Sequence, residues 1–277
     1  MNERWQALID ALQKVDPPAP RPTKGFFTDA TLCIGCKACE VACKEWNQLP
    51  AEPPRWTGNS YDNTGALSST TWRHVQFVER IGDDRLAPRW LLLSDVCKHC
   101  ANAPCQEVCP TGAIVRTEFD TVYVQQDVCN GCGYCVAACP FGVIERSQSD
   151  GGAHKCTFCY DRLKDGESPA CAKVCPTQSI QFGDLDELKG RAERRLAELH
   201  QRGEAGAYLY GHDARVLEGG LHAFFLLTDP PDTYNLPAHP RRPVKNARPG
   251  YLGTLAMGVG LLIAGALAFR RGGADTR

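Results

Sequence analysis

Three hydrophobic patterns run through this chain, and each predicts a different element. In 1–16, Trp5, Leu8, Ile9, Leu12 and Val15 recur at helical spacing and predict one amphipathic helix. Its apolar stripe suits packing on its own domain or docking against a partner subunit. Pro17, Pro18, Pro20 and Pro22 then predict a stiff, extended link. A strand-like pattern appears in T-W-R-H-V-Q-F-V-E-R (71–80) and R-W-L-L-L-S-D (89–95), with the turn-like Gly82-Asp83-Asp84 between them. This predicts a hairpin. Residues 48–70 before it, rich in Pro, Gly, Ser, Asn and Thr, predict an irregular loop. The helical period returns over 184–202, where Leu185, Leu188, Ala192, Leu196 and Leu199 share one side. There D-L-D-E reads as a capping box, and the Lys and Arg residues as a solvated face. A-Y-L-Y (207–210) and L-H-A-F-F-L-L-T (221–228) predict two strands around a glycine-rich turn.

The third pattern is an unbroken apolar run. Residues 249–269 are 21 positions without a charge. As a helix they would be about 30 Å long, the thickness of a bilayer core. Tyr251 and Phe269 at the edges, with arginines beyond both, predict a single transmembrane helix over a buried helix or an apolar tail. Ala256, Gly260, Ala264 and Ala268 recur every fourth residue, a small-residue face suited to a second membrane helix. Charge does not orient the span. Arg241, Arg242, Lys245 and Arg248 precede it, and Arg270, Arg271 and Arg277 follow.

Elsewhere hydrophobic period gives way to a cysteine repeat. C-P-T-G-A-I (109–114), C-P-F-G-V-I (139–144) and C-P-T-Q-S-I (175–180) each predict a cysteine loop, a short helical turn, proline, and a small strand capped by Ile. Cys129, Cys132, Cys135 and Cys139 fall at C-x2-C-x2-C-x3-C-P, the spacing that holds cubane iron–sulfur clusters. Three thiolates curl round three irons of one cube. The fourth is expected to open the next helical turn and serve a neighbouring cube, with Pro140 barring a regular helix. Cys33, Cys36, Cys39 and Cys43 repeat the spacing, but Lys44 replaces proline, so the chain is free to run on through Glu45 and Trp46. Cys97, Cys100, Cys105 and Cys109 follow C-x2-C-x4-C-x3-C-P, and Cys156, Cys159, Cys171 and Cys175 follow C-x2-C-x11-C-x3-C-P.

All sixteen cysteines are thereby used, four for each of four [4Fe-4S] clusters. Structural zinc sites pair C-x2-C units across longer gaps and need only four ligands. Disulfides between cysteines this close on one loop would be strained. Sixteen in 277 is also below the density of a small disulfide scaffold, and the N-terminal helix has neither an apolar h-region nor an Arg-Arg pair for secretion. A net charge of −1 gives no reason to expect nucleic acid as a partner. With 8% aromatic residues, metal ligation rather than a broad apolar core is expected to fix much of the fold.

The repeat is similar to the half-unit of a bacterial two-cluster ferredoxin, an α+β element that buries little alone and works in pairs. The expected fold is α+β: two nested bacterial-ferredoxin-like 2[4Fe-4S] units with insertions, plus one C-terminal transmembrane helix. The expected segments are an amphipathic helix and proline-rich arm (1–24), the first part of unit A with the inserted hairpin (25–95), unit B (96–149) and the second part of unit A (150–183). A helix and two-strand extension (184–235), a basic proline-rich linker (236–248) and the transmembrane helix (249–270) follow. Because the fourth cysteine serves the partner cube, cluster 1 is expected on Cys33, Cys36, Cys39 and Cys175, and cluster 2 on Cys43, Cys156, Cys159 and Cys171. Cluster 3 is expected on Cys97, Cys100, Cys105 and Cys139, and cluster 4 on Cys109, Cys129, Cys132 and Cys135. Lys37, Lys44, Lys98, Lys155 and Lys173 beside these cysteines either raise individual potentials or are ordinary surface lysines. G-x-G-x-x-G, the C-x3-C-x2-C of radical-SAM enzymes, H-E-x-x-H and a Ser/His/Asp order are absent. With every cysteine committed, no cube keeps an open iron. The chain reads as wiring, with no catalytic centre of its own.

On C-I-G-C-K-A-C-E-V-A-C-K-E-W-N (33–47), S-Y-D-N (60–63), C-G-Y-C-V-A-A-C-P-F (132–141) and the C-terminal span, the chain resembles the iron–sulfur (beta) subunit of membrane-bound respiratory formate dehydrogenases. These belong to the four-cluster subunits that accompany molybdopterin oxidoreductases, and the resemblance runs from about residue 25 to 270. It implies a separate molybdopterin or tungstopterin subunit that oxidises formate to CO2, and a membrane cytochrome b subunit that passes the electrons to quinone. It also implies a single-pass membrane protein, its Fe–S domain on the periplasmic or outer face, exported with a catalytic subunit that carries the twin-arginine signal. The same wiring for a polysulfide, dimethyl sulfoxide or nitrate reductase is the nearest alternative. Nitrate reductase relatives often replace one cysteine by tryptophan, and no such replacement occurs here. A zinc-rich binding module is the alternative from a different class.

Overall fold

A computed structural model describes residues 22–52, 56–58, 61–80 and 89–272. The helix expected over 1–16 and the turn at Gly82-Asp83-Asp84 lie outside these residues. In chain order the elements are β1 (Lys24–Asp29), α1 (Ala38–Trp46), β2 (Arg73–Arg80) and β3 (Arg89–Val96). The cysteine-rich centre supplies α2 (Pro104–Glu107), β4 (Ile114–Arg116), β5 (Val122–Val124), α3 (Tyr134–Ala138), β6 (Glu145–Arg146), β7 (Ala153–His154), α4 (Tyr160–Lys164) and α5 (Ala170–Lys173). The chain then forms β8 (Ile180–Asp184), α6 (Leu185–Gln201), β9 (Tyr208–Tyr210), β10 (Ala223–Leu227) and α7 (Ala247–Gly272).

The hairpin forms where alternation predicts it, with β2 antiparallel to β3 from Arg73 opposite Val96 to Arg80 opposite Arg89. The strands expected at 207–210 and 221–228 also form, but as half of a larger sheet. Its order is β8-β1-β10-β9, with β1 antiparallel to β8 and parallel to β10. Strand β1 was not expected from K-G-F-F-T-D. It is a central strand buried on both faces, so Phe26 and Phe27 are both apolar and no alternation marks it.

The period-two pleat sorts this sheet into two layers. Phe27, Phe224 and Leu226 face α6 and pack with Leu185, Leu188, Ala192 and Leu199, while Leu196 is only partly buried. Phe27 and Phe224 stack at 5.4 Å between ring centroids. Phe26, Ala223 and Phe225 face the other way, into the layer that holds the cysteines. The first quartet follows β1 and the fourth precedes β8, so this sheet is the frame on which both are hung.

Two expectations for α6 are corrected. Asp184 stands at the N-cap but its side chain caps nothing. Its carboxylate is taken by Lys24 on the paired strand, and the Leu185 amide instead donates to Thr23 O at 2.9 Å. Nor is the basic face wholly solvated: Arg195 reaches back to the fully buried Asp29, with Nε 2.9 Å from Oδ2. α7 stands with its apolar side chains exposed, and it is long and apolar enough to cross a membrane.

Candidate iron–sulfur centres

The C-x2-C loops share one local conformation. Each passes through a left-handed residue just before its second cysteine: Gly35, His99, Gly131 and Phe158, with φ of 68°, 43°, 68° and 63°. Glycine adopts this without steric cost, whereas His99 and Phe158 carry a Cβ penalty. These two pack edge to face, 4.6 Å between ring centroids. The third cysteine then enters a helical turn, which ends at or just before the fourth in the three quartets that carry proline. Cys135 lies within α3 and Cys139 is its C-cap, at φ −76° and ψ 112°. Thus Cys139 closes a turn instead of opening one, because the residue before a proline is driven out of the helical region.

After each C-P pair the chain makes the same bend. The amides of Gly112, Gly142 and Gln178, all at positive φ, donate to the carbonyls of Cys109, Cys139 and Cys175. The repeat isoleucines mark strand beginnings rather than capping the far ends: Ile114 starts β4, Ile180 starts β8, and Ile144 directly precedes β6. In the first quartet, where Lys44 replaces proline, α1 runs on through Glu45 and Trp46.

The structure gathers the sixteen thiols into four groups. Cys33, Cys36, Cys39 and Cys175 line one cavity, alongside Val75, Ser94 and Ile180. Cys97, Cys100, Cys105 and Cys139 line a second, alongside Lys98, His99, Phe141 and Lys155. Burial, and then the neighbouring thiols of Cys156, Cys171 and Cys159, push the Cys43 thiol well up. Burial, and then Cys129, Cys132 and Cys109, push Cys135 up to about 11.

The groups also fall in an order. Burial pushes Cys39 up to about 12 against Arg73 and Ser94, and Cys171 of the next group adds to it. Burial raises Cys156, with Cys97 of the third group the next contributor. Burial raises Cys105 to about 12, opposed by Lys155, and Cys135 of the fourth group is among the thiols that add to it. The sequence of neighbours is therefore Cys39 to Cys171, Cys156 to Cys97, and Cys105 to Cys135. Exposed cysteines occur only at the two ends, Cys36 in the first group and Cys132 in the last, while those between are mostly buried.

Of the five lysines beside cysteines, two are deeply buried. Lys98 pairs with Asp95, donates to Val96 O at 2.9 Å, and sits 5.2 Å from the ring centroids of Phe141 and Phe225. Lys155 donates to Val122 O and to Cys156 O at 3.1 Å. Lys37 pairs with Asp62 at 3.1 Å, and Lys44 ties the carbonyls of Pro50 and Thr70. Lys173 is exposed. Three further polar groups escaped the sequence reading. Arg73 is wholly buried beside the first two thiol groups, His74 Nε2 lies 2.7 Å from Asp62 Oδ2, and Ser94 Oγ lies 3.3 Å from Cys39 Sγ. Burial works against the Asp62 charge, but His74, the Gly65 amide and Lys37 outweigh it and hold the carboxyl below the usual range.

This donor set fits a polynuclear iron–sulfur cluster. No described carboxylate lines either cavity. N–H groups point at the sulfurs, Phe158 N to Cys156 Sγ at 3.3 Å and Ala153 N to Cys129 Sγ at 3.4 Å. Thiols raised by burial need a bound metal to become thiolates. Among the described residues no three His, Cys, Asp or Glu side chains converge as a single-ion site. The thiols surround a volume instead of a point, which suits a cube and not a zinc ion held at about 2.3 Å.

Comparison with known proteins agrees. Residues 32–113 and 88–185 each match a family described as a 4Fe-4S dicluster domain, and together these regions contain all four quartets. The formate dehydrogenase iron-sulfur subunit of Haemophilus influenzae is 41% identical over 217 residues, covering 77% of this chain and 68% of the relative. The chain belongs to the family of formate dehydrogenase iron–sulfur subunits. Within it, the formate dehydrogenase-O iron-sulfur subunit of Escherichia coli is 42% identical over 219 residues, covering 76% of this chain and 70% of the relative. Likeness extends beyond that family: the thiosulfate reductase electron transfer subunit of Salmonella typhi is 43% identical over 178 residues, covering 64% of this chain and 84% of the relative.

Proposed function

We propose that this chain is the electron-transfer subunit of a formate dehydrogenase complex and holds one [4Fe-4S] cluster in each of its four thiol groups. Cys33, Cys36, Cys39 and Cys175 hold cluster 1, and Cys43, Cys156, Cys159 and Cys171 hold cluster 2. Cys97, Cys100, Cys105 and Cys139 hold cluster 3, and Cys109, Cys129, Cys132 and Cys135 hold cluster 4. The observation that carries this reading is the file of four thiol groups, buried in the middle and exposed at Cys36 and Cys132. Bound clusters supply one-electron chemistry. The protein's own residues anchor them, donate N–H groups to their sulfurs, keep water from the inner two and set fixed cations beside them. All sixteen thiols are used as ligands, so substrate is transformed on a partner.

The direction of the file is supported by the linker. Arg242 pairs with Glu107 and Glu218, and Glu107 lies in α2 between Cys105 and Cys109. The segment leading to α7 thus leaves the body beside the third and fourth groups. The Cys132 end then faces the membrane and a cytochrome b partner that reduces quinone. The Cys36 end faces the molybdopterin or tungstopterin subunit that releases two electrons, a proton and CO2 from each formate. α7 crosses the bilayer once and sets Ala256, Gly260, Ala264 and Ala268 against a partner's helix. The Fe–S body lies on the outer face, a placement that follows from the family resemblance.

Purification from membranes, with identification of the accompanying subunits and a formate-reduction assay, tests this reading. The expected result is a pterin subunit and a cytochrome b that co-purify, with formate bleaching the clusters' visible absorption. Clusters that stay oxidised under formate but respond to the couple of another pterin enzyme, thiosulfate or dimethyl sulfoxide for example, would reassign the subunit to that complex.

A further inference from the structure

One guanidinium is shut inside the molecule between two thiol groups. Arg73, at the start of β2, is 1% exposed. Its Nη1 donates to Ser94 Oγ at 2.9 Å and to Ser94 O at 3.3 Å on the facing strand, and its Cζ lies 5.0 Å from the Phe26 ring centroid. Among the described residues, Nε and Nη2 have no hydrogen-bond partner. No described carboxylate pairs with this charge. Burying a cation with unmet donors is costly, so something anionic must complete its surroundings.

Thiols of two groups lie near enough to act on it. The charges that act on Arg73, after burial, are Cys171, Cys39, Cys156 and Cys43, and it acts in turn on Cys33. Cys33 and Cys39 belong to the first group, and Cys43, Cys156 and Cys171 to the second. A cube with four thiolates is anionic, so two such cubes would flank the guanidinium and offer its free N–H groups sulfur acceptors. Ser94 extends the arrangement. Because Arg73 donates to its oxygen, the Ser94 hydroxyl hydrogen is left for Cys39 Sγ, 3.3 Å away.

We propose that Arg73 is a positioning residue that bridges clusters 1 and 2 and raises the reduction potential of both. The proposal rests on the ligand assignment above. An added electron makes a cube more negative, and a fixed cation in a dry, low-dielectric site stabilises that reduced form. The hairpin inserted between the first two quartets is the element that carries this charge to its place.

Potentiometric EPR titration of the holo complex, with iron per chain measured alongside, tests it in wild type, Arg73→Gln and Arg73→Lys. In Arg73→Gln two of the four midpoint potentials should fall while two stay. In Arg73→Lys, which keeps the charge, those two should fall less. Full iron with four unmoved potentials in Arg73→Gln overturns the proposal, as does an equal shift of all four or a lysine effect as large as glutamine's. If Arg73→Gln is short of iron, Arg73→Lys decides: full iron with near-native potentials upholds the bridge, and loss of clusters there too shows a merely structural residue. Fewer than four clusters in wild type would refute the ligand assignment itself, a separate outcome from four clusters indifferent to Arg73.

Discussion

Arg242, in the segment before the apolar helix, grips Glu107, with Nε 3.3 Å from Oε2. Glu107 is two residues from both Cys105 and Cys109, so one ion pair ties the route to the membrane to the cysteine layer. The pair is partly exposed, and screening limits it to about 1 kcal/mol. Arg242→Glu, which also sets a like charge beside Glu218, should speed proteolysis within 236–248 about fivefold and leave iron per chain unchanged. Timed digestion in detergent checks this.

Swapping one fourth cysteine separates the predicted partners. Cys139 shares its cavity with Cys97, Cys100 and Cys105, not with the nearer cysteines of its own motif. Cys139→Ser should therefore perturb the cluster anchored at Cys97 before the one anchored at Cys129. Cys109→Ser should do the reverse. EPR of the reduced variants reads both, and a crossed result would overturn the pairing.

Lys155 lines the cavity of Cys97, Cys100, Cys105 and Cys139 and, unlike Lys98, pairs with no described carboxylate. Burial raises the Cys105 thiol, and Lys155 is the largest influence opposing that rise. At an effective dielectric of ~20 a unit charge about 4–8 Å from a cube contributes about 2–4 kcal/mol, roughly 90–180 mV for one electron. Lys155→Met should lower one midpoint potential by that order and leave the cluster 1 signal in place. It should also destabilise the fold, since Val122 O and Cys156 O lose their donor.

The sheet's dry layer predicts a change in stability without a change in cofactor chemistry. Phe224 is fully buried against Phe27 and α6. Phe224→Ala should cost about 3–5 kcal/mol and lower Tm by about 10 °C, with the potentials unmoved. Calorimetry and redox titration of the same preparation check the two halves.

The cysteine groups were legible because ligand spacing is a local constraint: a thiolate two or three residues along a loop can reach only certain corners of a cube. The hairpin and α6 were legible from hydrophobic period. What escaped shares one cause, which is that its meaning lies across the fold. β1 shows no alternation because both its faces are covered. Arg73 is one polar position in a strand pattern until Phe26 and two thiol groups close round it. Asp184 has the look of a helix cap until β1 brings Lys24 to it, and Arg195 looks solvated until Asp29 is seen beneath it.

Iron and acid-labile sulfide counted per chain in the intact complex test the central claim most directly. Four thiol groups with one cube each predict about sixteen of each, with no zinc. Eight irons, or zinc in their place, would contradict a four-cluster path through this subunit.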